Sequence, residues 1–343
     1  MNKIKLVLCL FSVVALLAIP AAAQVSTADI LGTVTDATGS VVSDAKVTVE
    51  NPDTSLTRVV NTDASGNYTV VLLPTGRYNI KVEHAGFRVA TINNIQLAIG
   101  DRSRQDIRLE VGQTTESVTV TAEASLLKTE SSQVVQNVTL SQLNNLPVLV
   151  VGATASGVRD PFASARLVPG VSYTNGQPGA TAVIAQMVVN GTPSNTYQTR
   201  LDGITTNPTG PRNLGAQQQT QPSVDAIEEV AIQTSNFAAE YGTAGGAMIN
   251  MVSKSGTNAF HGSGYDYVVN EAINAYQPYL GTRNKIRQHD FGWTLGGPLR
   301  IPKVYDGRNK TFFFYSMEKF KQTNVIVSSV SVPTSAYRGG DFS

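Results

Sequence analysis

The chain has 343 residues, with 26 basic and 25 acidic side chains and a formal net charge of +1. This balance argues against nucleic-acid binding, which usually requires a basic excess on one face. Charged residues make up 15% of the chain, below the roughly 25% of an ordinary soluble domain, and the apolar share of 41% is too high for a disordered chain. The single cysteine, Cys9, lies in a segment that we expect to be removed, so we expect no disulfide in the mature chain.

The first 23 residues have the pattern of a secretory signal peptide. Lys3 and Lys5 precede an apolar run, and Pro20 is followed by three alanines, small residues of the kind found at a cleavage site. The apolar run is shorter than the about 20 residues that a membrane-spanning helix needs. We therefore predict a cleaved signal over residues 1–23 and a mature chain that begins near Gln24.

Residues 24–111 predict a series of short β-strands. Apolar and polar residues alternate from Lys46 to Glu50, and Tyr78, Ile80 and Val82 share one face of a later strand. Turn signals recur about every ten residues between these strands, which indicates a β-sandwich. Two turns contain Asp and Gly, but neither has the acidic ligands that a calcium loop needs, so we interpret both as hairpin turns.

Three motifs of this module resemble the carboxypeptidase regulatory-like domain, and the resemblance implies a small transthyretin-like β-sandwich. The histidines, His84, His261 and His289, are far apart in the sequence and have no acidic residue at metal-binding spacing. We therefore expect no cofactor, no metal site and no enzymatic activity. The motifs are Gly32-Thr33-Val34-Thr35-Asp36, Thr62-Asp63-Ala64-Ser65-Gly66-Asn67-Tyr68 and Leu73-Pro74-Thr75-Gly76-Arg77-Tyr78.

Residues 112–124 form a linker that contains a short alternating stretch. The pattern alone predicts one more strand of the sandwich. By its position after a small N-terminal domain, the stretch also resembles the TonB box of outer-membrane receptors, an extended peptide that adds a strand to the sheet of its partner. Both interpretations stay open from the sequence. The candidate partner-binding residues are Glu116, Ser117, Val118, Thr119, Val120, Thr121 and Ala122, of which Ser117 departs from the more usual Thr.

Residues 125–256 mix amphipathic stretches, glycine turns and short strands. We expect a helix that starts near Ser141 and a buried strand that contains Ile249 and Met251. In chain order, four segments resemble the plug domain of TonB-dependent receptors. They are Leu146-Pro147, Pro169-Gly170-Val171, Leu201-Asp202-Gly203 and residues 224–258.

Three carboxylates of this region, Glu228, Glu229 and Glu240, invite an acid–base interpretation. Solvated surface carboxylates and carboxylates at helix ends are far more common, and nothing nearby in the sequence indicates a raised pKa. We interpret all three as solvated.

Residues 257–343 are rich in aromatic side chains, with 15 of the 24 Phe, Trp and Tyr residues of the chain. Apolar residues alternate with small or polar ones, which is typical of transmembrane barrel strands. A plugged transporter barrel has about 22 strands, so we expect this sequence to be an N-terminal part of a longer receptor. Three segments resemble the start of the barrel in Oar-like TonB-dependent receptors: Gly296-Gly297-Pro298-Leu299, residues 309–316 and residues 338–343.

These features predict a mainly β protein: a transthyretin/Ig-like β-sandwich, an α+β plug domain and the first strands of a transmembrane β-barrel. The resemblance implies plug-gated uptake of an unidentified ligand, with carbohydrate or oligosaccharide as one candidate class. The implied partners are the TonB energy-coupling complex, outer-membrane lipid and that ligand. The implied location is the cell outer membrane, with the N-terminal domain in the periplasm.

The alternative function is a secreted or cell-surface β-sandwich that binds carbohydrate or mediates adhesion without transport. An exposed aromatic platform on the sandwich would favour this alternative. Tyr68 and Tyr78, however, occupy strand positions that are more typical of a core.

Overall fold

The computed structural model describes residues 27–112, 117–121, 130, 132–145, 159, 161–174, 186–193, 196–206, 222–237, 241, 245–273, 275–276, 283, 285–325 and 333–341. In these ranges the chain is mainly β-structure, as predicted, and has two hydrophobic cores. None of the helices described there is both long enough and apolar enough to cross a membrane. The predicted signal peptide, residues 1–23, lies outside the described residues.

The N-terminal part is the predicted β-sandwich. Its strands are β1 (Ala28–Thr35), β2 (Lys46–Glu50), β3 (Thr57–Asn61), β4 (Asn67–Leu73), β5 (Gly76–Glu83), β6 (Val89–Leu97), β7 (Arg102–Arg104), β8 (Ile107–Arg108) and β9 (Ser117–Thr121). In one sheet, β1 pairs with β4, β7 and β8. The other sheet has the order β3-β2-β5-β6-β9, in which β9 runs parallel to β6 and the other neighbours are antiparallel.

The core of the sandwich follows from the alternation of its strands. In β1, every second side chain is buried, as expected for a strand with one face on the core. Tyr78 and Ile80 of β5 are completely buried. The buried hydroxyl of Tyr78 donates a hydrogen bond to the carbonyl of Pro74 at 2.9 Å, so this aromatic side chain fills the core without an unpaired polar atom.

The two Asp-plus-Gly turns are tight turns held by their own carboxylates. The backbone N–H groups of Thr38 and Ser40 donate to Asp36 Oδ1 at 2.8 and 2.9 Å, and Asp63 Oδ1 accepts two backbone N–H groups in the same way. The hydrogen bond from the Thr38 hydroxyl lowers the pKa of Asp36. Gly66 has a φ of 73°, which a residue with a Cβ rarely adopts. The interpretation as hairpin turns is wrong, because each turn leads from one sheet to the other: the first joins β1 to β2, and the second joins β3 to β4.

The second module is an α+β unit. Its main sheet has the order β10-β15-β16-β13-β14, and β11 and β12 form a separate antiparallel pair. Its elements are β10 (Val134–Thr139), α1 (Leu140–Asn145), β11 (Val171–Thr174), β12 (Gln186–Val189), β13 (Gln198–Leu201), β14 (Ile204–Thr205), β15 (Ile227–Ser235), β16 (Met248–Ser253) and the 3-10 helices Pro161–Leu167 and Val224–Ala226.

The expected elements of this module are present. The helix predicted near Ser141 is α1, and Ile249 and Met251 lie in the buried strand β16. Asp202 and Gly203 both have positive φ in the turn between β13 and β14, which is the geometry of a type I′ hairpin. Leu143 and Ile249 belong to one hydrophobic core, so the helix and the sheet pack as one unit.

The C-terminal part is an open antiparallel sheet of long strands in the described residues. Its order is β17-β18-β21, and a short hairpin of β19 and β20 joins β18 to β21. The elements are β17 (His261–Asn270), β18 (Lys285–Pro298), β19 (Arg300–Ile301), β20 (Tyr305–Asp306), β21 (Phe312–Val325) and the short helix α2 (Ser335–Arg338). Long, alternating, antiparallel strands of this kind are typical of membrane barrels.

Replacement of Ile80 by Ala should destabilise the sandwich by about 2–5 kcal/mol, because the side chain is completely buried and its loss leaves a cavity. Val59→Ala, at a position where half of the side chain is exposed, should change stability by about 0.5 kcal/mol or less. Urea unfolding of a fragment that contains residues 24–122 measures both values. Equal losses for the two variants would contradict this description of the core.

Candidate functional site

In the segment with alternative interpretations, residues 116–122, the described residues 117–121 form an edge strand of the sandwich. Five of its residues are β9, which pairs in parallel with β6 from Val89 opposite Ser117 to Asn93 opposite Thr121. Glu116 and Ala122 lie outside the described residues. The strand interpretation therefore describes where the segment lies, and the interpretation as a TonB box stays a prediction.

Contacts of the residues that precede the linker explain why β9 lies beside β6. The backbone N–H of Arg88 donates to the carbonyl of Glu110 at 2.8 Å, and Val111 bridges to Phe87. These contacts hold the end of the sandwich beside the start of β6. The chain then needs to cross only residues 113–116 before β9 begins.

The side chain of Arg159 links the second module to the sheet β17-β18-β21, which we call the barrel sheet. It is 2% exposed and forms an ion pair with Asp225, at the 3-10 helix that precedes β15. Its Nη1 donates to Asn144 Oδ1 at 3.0 Å, and its Nε is 3.7 Å from Oδ2 of Asp290 in β18. The guanidinium also lies 3.9 Å from the ring centroid of Tyr267 in β17.

This arrangement defines the inward face of the barrel sheet. The side chains of β18 alternate between two faces. Asp290 and Thr294 are buried on one face, whereas Trp293 and Leu295 are exposed on the other. The buried residues face the second module because Asp290 contacts Arg159. Gly292 lies on the same inward face, where a Cβ would come within 2.5 Å of the Tyr265 hydroxyl, so the glycine allows the aromatic side chain to pack closely.

The charges of this cluster depend on one another. Burying a carboxylate or a guanidinium is costly unless an opposite charge and hydrogen bonds compensate for the lost water. Asp290 is completely buried, and Asp225 is 6% exposed. The single positive charge of Arg159 lies between these two carboxylates, one from the second module and one from the barrel sheet, and is shared by both.

The sandwich contacts both other modules through polar groups. The backbone N–H of Ile99 donates to Glu229 Oε2 at 3.2 Å. The backbone N–H of Asn258 donates to the carbonyl of Asp53 at 2.9 Å, and its side-chain oxygen accepts the N–H of Asn309 at 2.8 Å. We use the term sandwich-facing end for the end of the barrel sheet at residues 256–261 and 298–312, where these contacts occur.

The structure changes the sequence-based interpretations of two carboxylates and one histidine. Glu229 was expected to be solvated, but it lies in β15 at 7% exposure, because the sandwich covers it and donates a hydrogen bond to it. Glu228 is exposed over the whole residue, as expected, but desolvation of its carboxyl group raises its pKa, which the sequence did not indicate. Glu240 lies outside the described residues. His289 has no acidic residue at metal-binding spacing in the sequence, yet strand pairing brings its Nδ1 to 3.2 Å from Oδ2 of Asp266.

The sequence interpretation missed the Arg159 cluster. The available signal was a lone arginine followed by an aspartate and a proline, in a stretch that otherwise matches the plug pattern poorly. Among the residues that the structure describes, no group of three or more His, Cys, Asp or Glu side chains could hold a metal ion. The cluster thus joins two modules and contains no metal-binding set in the described residues.

Replacement of Arg159 by Met should lower the free energy of unfolding of the second module by about 3–5 kcal/mol, because Asp225 and Asp290 remain buried without a counter-charge. Arg300→Met removes a partly exposed ion pair and should cost about 1 kcal/mol or less. Pulse proteolysis of the detergent-solubilised protein across a urea series measures both.

A second variant separates charge from packing. Adding Asp225→Asn and Asp290→Asn to Arg159→Met removes the uncompensated charges, so part of the lost stability should return. Equal sensitivity of the Arg159 and Arg300 variants to urea would contradict the assigned role of Arg159.

Two family models match this chain. Residues 29–110 match the carboxypeptidase regulatory-like domain, and residues 252–343 match an outer membrane β-barrel domain. The TonB-dependent transporter Oar of Myxococcus xanthus is 28% identical over 301 residues, which is 83% of this chain and 26% of that protein. The chain thus spans about a quarter of the length of this curated relative.

Solved structures give only a weak likeness. Catechol 1,2-dioxygenase from Acinetobacter sp. ADP1 is 14% identical with a TM-score of 0.24, covering 30% of this chain and 60% of that one. A streptococcal ancillary pilin is 14% identical with a TM-score of 0.22, covering 25% of this chain and 33% of that one. At these scores the likeness carries no inference. By sequence, the chain is a homologue of the TonB-dependent transporter Oar, with a carboxypeptidase regulatory-like domain and a segment of an outer membrane β-barrel.

Proposed function

We propose that this chain is part of a plug-gated outer-membrane transporter, in which TonB supplies the energy for uptake of a ligand. The observation that carries the proposal is the contact of the second module with the inward face of the barrel sheet through buried Arg159. A module that lies inside a barrel wall blocks passage until it moves. Residues 125–256 are therefore the plug in this proposal, and residues 257–343 are the start of the barrel.

Residues 116–122 are the TonB-binding segment in the proposal. TonB-box recognition uses strand addition, in which an extended peptide pairs with the edge of the sheet of its partner. β9 already pairs in this way with β6 of its own sandwich. It has five residues, lies at a sheet edge and runs parallel to β6, a pairing slightly less stable per residue than an antiparallel one. Exchange of β6 for an edge strand of TonB therefore replaces one set of backbone hydrogen bonds with another.

The proposed location is the outer membrane, with the sandwich in the periplasm. A signal peptide over residues 1–23 would direct export, and the sandwich would lie on the side where TonB is accessible. The contact of Asn258 with Asp53 joins the sandwich to the sandwich-facing end of the barrel sheet. This end is the periplasmic end in the proposal.

The alternative of a carbohydrate-binding or adhesive sandwich has less support. Tyr68 is 3% exposed, and Tyr78 is completely buried, so neither side chain is available to stack on a sugar ring. The hydroxyl groups of both point to backbone carbonyls of the sandwich itself. These tyrosines stabilise the core instead of forming a binding platform.

The full-length protein should fractionate with the outer membrane and migrate differently in gel electrophoresis before and after heating, because folded membrane barrels resist detergent until heated. Membrane fractionation and gel migration of the native protein measure both properties. Recovery of the intact protein from the soluble periplasm would contradict the transporter proposal and favour the secreted alternative.

Replacement of Val118 or Val120 by Pro should reduce contact with TonB, because proline removes a backbone N–H donor and fixes φ in a strand that must pair. Disulfide capture measures this contact, since the only cysteine of the chain, Cys9, lies in the predicted signal peptide. A single cysteine at Thr119 should capture a cysteine in the periplasmic domain of TonB, and the proline variants should capture less.

Two controls make the result specific. Thr114→Pro introduces the same residue just before the segment and should leave capture unchanged, and a cysteine at exposed Val59 should capture no TonB. If the proline variants destabilise a fragment of residues 24–122 but capture TonB as well as the parent does, β9 is only a strand of the sandwich. The TonB-box assignment would then be wrong.

A further inference from the structure

The outward face of the barrel sheet has an apolar band made by alternate residues of β18 and β21. Trp293 and Leu295 are 42% and 43% exposed, and Tyr315 opposite them is 54% exposed. The rings of Trp293 and Tyr315 have centroids 5.1 Å apart. Gly262 and Gly264 of β17 pair with Leu295 and Trp293, so the neighbouring strand presents a surface without side chains beside them.

The height of this band matches the hydrocarbon layer of an outer membrane. Exposed or half-exposed apolar side chains continue from Phe291 through Trp293, Leu295 and Leu299 to Ile301. This stretch runs along β18 and, after Leu299, into β19; at the tilt of a barrel strand its ten steps rise about 25 Å, which is the height of the apolar band on outer-membrane barrels. The band therefore ends at Phe291 on the side away from the sandwich-facing end.

Immediately beyond Phe291, the outward face becomes cationic. Lys319 pairs with Phe291, and Lys321 pairs with His289, so the two ammonium groups lie on neighbouring rows of the same face. The Nζ atom of Lys321 is 5.7 Å from the centroid of the Phe291 ring, at the boundary of the band. We call this group the cationic row; its members are Lys285, Arg287, His289, Lys319 and Lys321.

The acidic residues near the cationic row are already engaged. Glu271 forms hydrogen-bonded ion pairs with Arg287 at 2.8 and 3.0 Å, and Asp266 contacts His289 at 3.2 Å. In the described part of the chain, no carboxylate lies within ion-pair distance of Lys319 or Lys321. The carboxylates near the row therefore engage Arg287 and His289, and the charges of Lys319 and Lys321 are left for an anion from outside the described residues.

Ordinary lysines at a membrane surface extend their ammonium groups into water, and that arrangement needs no ligand. The cationic row differs from this in two respects. Its members come from two adjacent strands, so they can contact one anion together. They also lie directly above an apolar and aromatic surface, which is suited to hydrocarbon chains. An ammonium group near the edge of a bilayer costs about 0–1 kcal/mol, so the row is tolerated where lipid headgroups lie.

We propose that the cationic row binds the phosphate groups of a phosphorylated lipid in the outer leaflet, with the acyl chains of that lipid along Phe291, Trp293 and Leu295. The leaflet follows from the orientation in the proposed function, since the row lies away from the sandwich-facing end. Lys319 and Lys321 supply the charges that no carboxylate of the described chain neutralises. Trp293 and Tyr315 supply the apolar surface below them.

The test is binding of bisphosphorylated lipid A to the detergent-solubilised full-length protein, followed by native mass spectrometry. Lys319→Gln combined with Lys321→Gln should weaken binding about 30-fold, because each cation near a lipid headgroup contributes about one decade or slightly less. Lys319→Arg combined with Lys321→Arg keeps both charges and should retain binding. Lys303→Gln combined with Lys310→Gln removes two exposed cations at the sandwich-facing end and should also retain it.

Two further arms identify the ligand. Lipid A without phosphates should bind weakly to the parent protein, and inorganic phosphate should not displace the phosphorylated lipid. Unchanged binding by the double Gln variant, equal binding of the dephosphorylated lipid or displacement by inorganic phosphate would each overturn the proposal. Heat-dependent gel migration shows that each variant is folded. Because binding in detergent does not require transport, a protein that binds the lipid but captures no TonB would overturn the proposed function alone.

Discussion

The guanidinium of Arg159 is buried between a carboxylate of the second module and a carboxylate of the barrel wall. In this position it decides how those two parts fit together. Without it, Asp225 and Asp290 would both be buried charges without compensation. The planar group also covers the ring of Tyr267, so its position is fixed by packing as well as by charge. An ion pair of this kind adds little net stability compared with apolar packing, but it penalises every arrangement that separates its partners. It thus fixes which face of β18 meets the second module.

The sandwich is attached in a different way. Its described contacts with the other modules include backbone hydrogen bonds, such as Asn258 to Asp53 and Ile99 to the carboxylate of Glu229, and a partly exposed ion pair between Arg104 and Glu130. Hydrogen bonds of this kind contribute about 1 kcal/mol each, since water can replace them when the partners separate. Separation of the sandwich from the barrel end is therefore much less costly than separation of Arg159 from its two carboxylates.

The sequence predicted the parts of the fold that depend on local pattern. Alternation with a period of two identified β2, β5 and β18, and the Asp-Gly turns were recognisable because each carboxylate accepts hydrogen bonds from the next few residues. The sandwich, the helix α1 and the buried strand β16 followed from the same kind of signal. Each of these depends on residues that are close together in the chain.

The features that sequence reasoning missed all depend on distant partners. Arg159 and Asp290 are 131 positions apart in the sequence, yet their side chains approach to 3.7 Å in the structure. Glu229 is covered by Ile99 of another module, and His289 meets Asp266 only because β17 and β18 pair in one register. Pattern analysis assigns a residue to a strand, but it does not say which element lies over that strand. For this reason the modules were predictable and their contacts were not.

The position of β9 combines these two kinds of attachment. It lies between the sandwich, which is held to its neighbours by replaceable hydrogen bonds, and the second module, which is held to the barrel wall by a buried charge. A force applied to β9 would reach the sandwich through residues 112–116 and the second module through residues 122–133. The weaker attachment yields first, so β9 would leave β6 and the sandwich would separate before Arg159 is disturbed. In the proposed transporter, this order protects the plug from small forces and lets it move only when the pull is sustained.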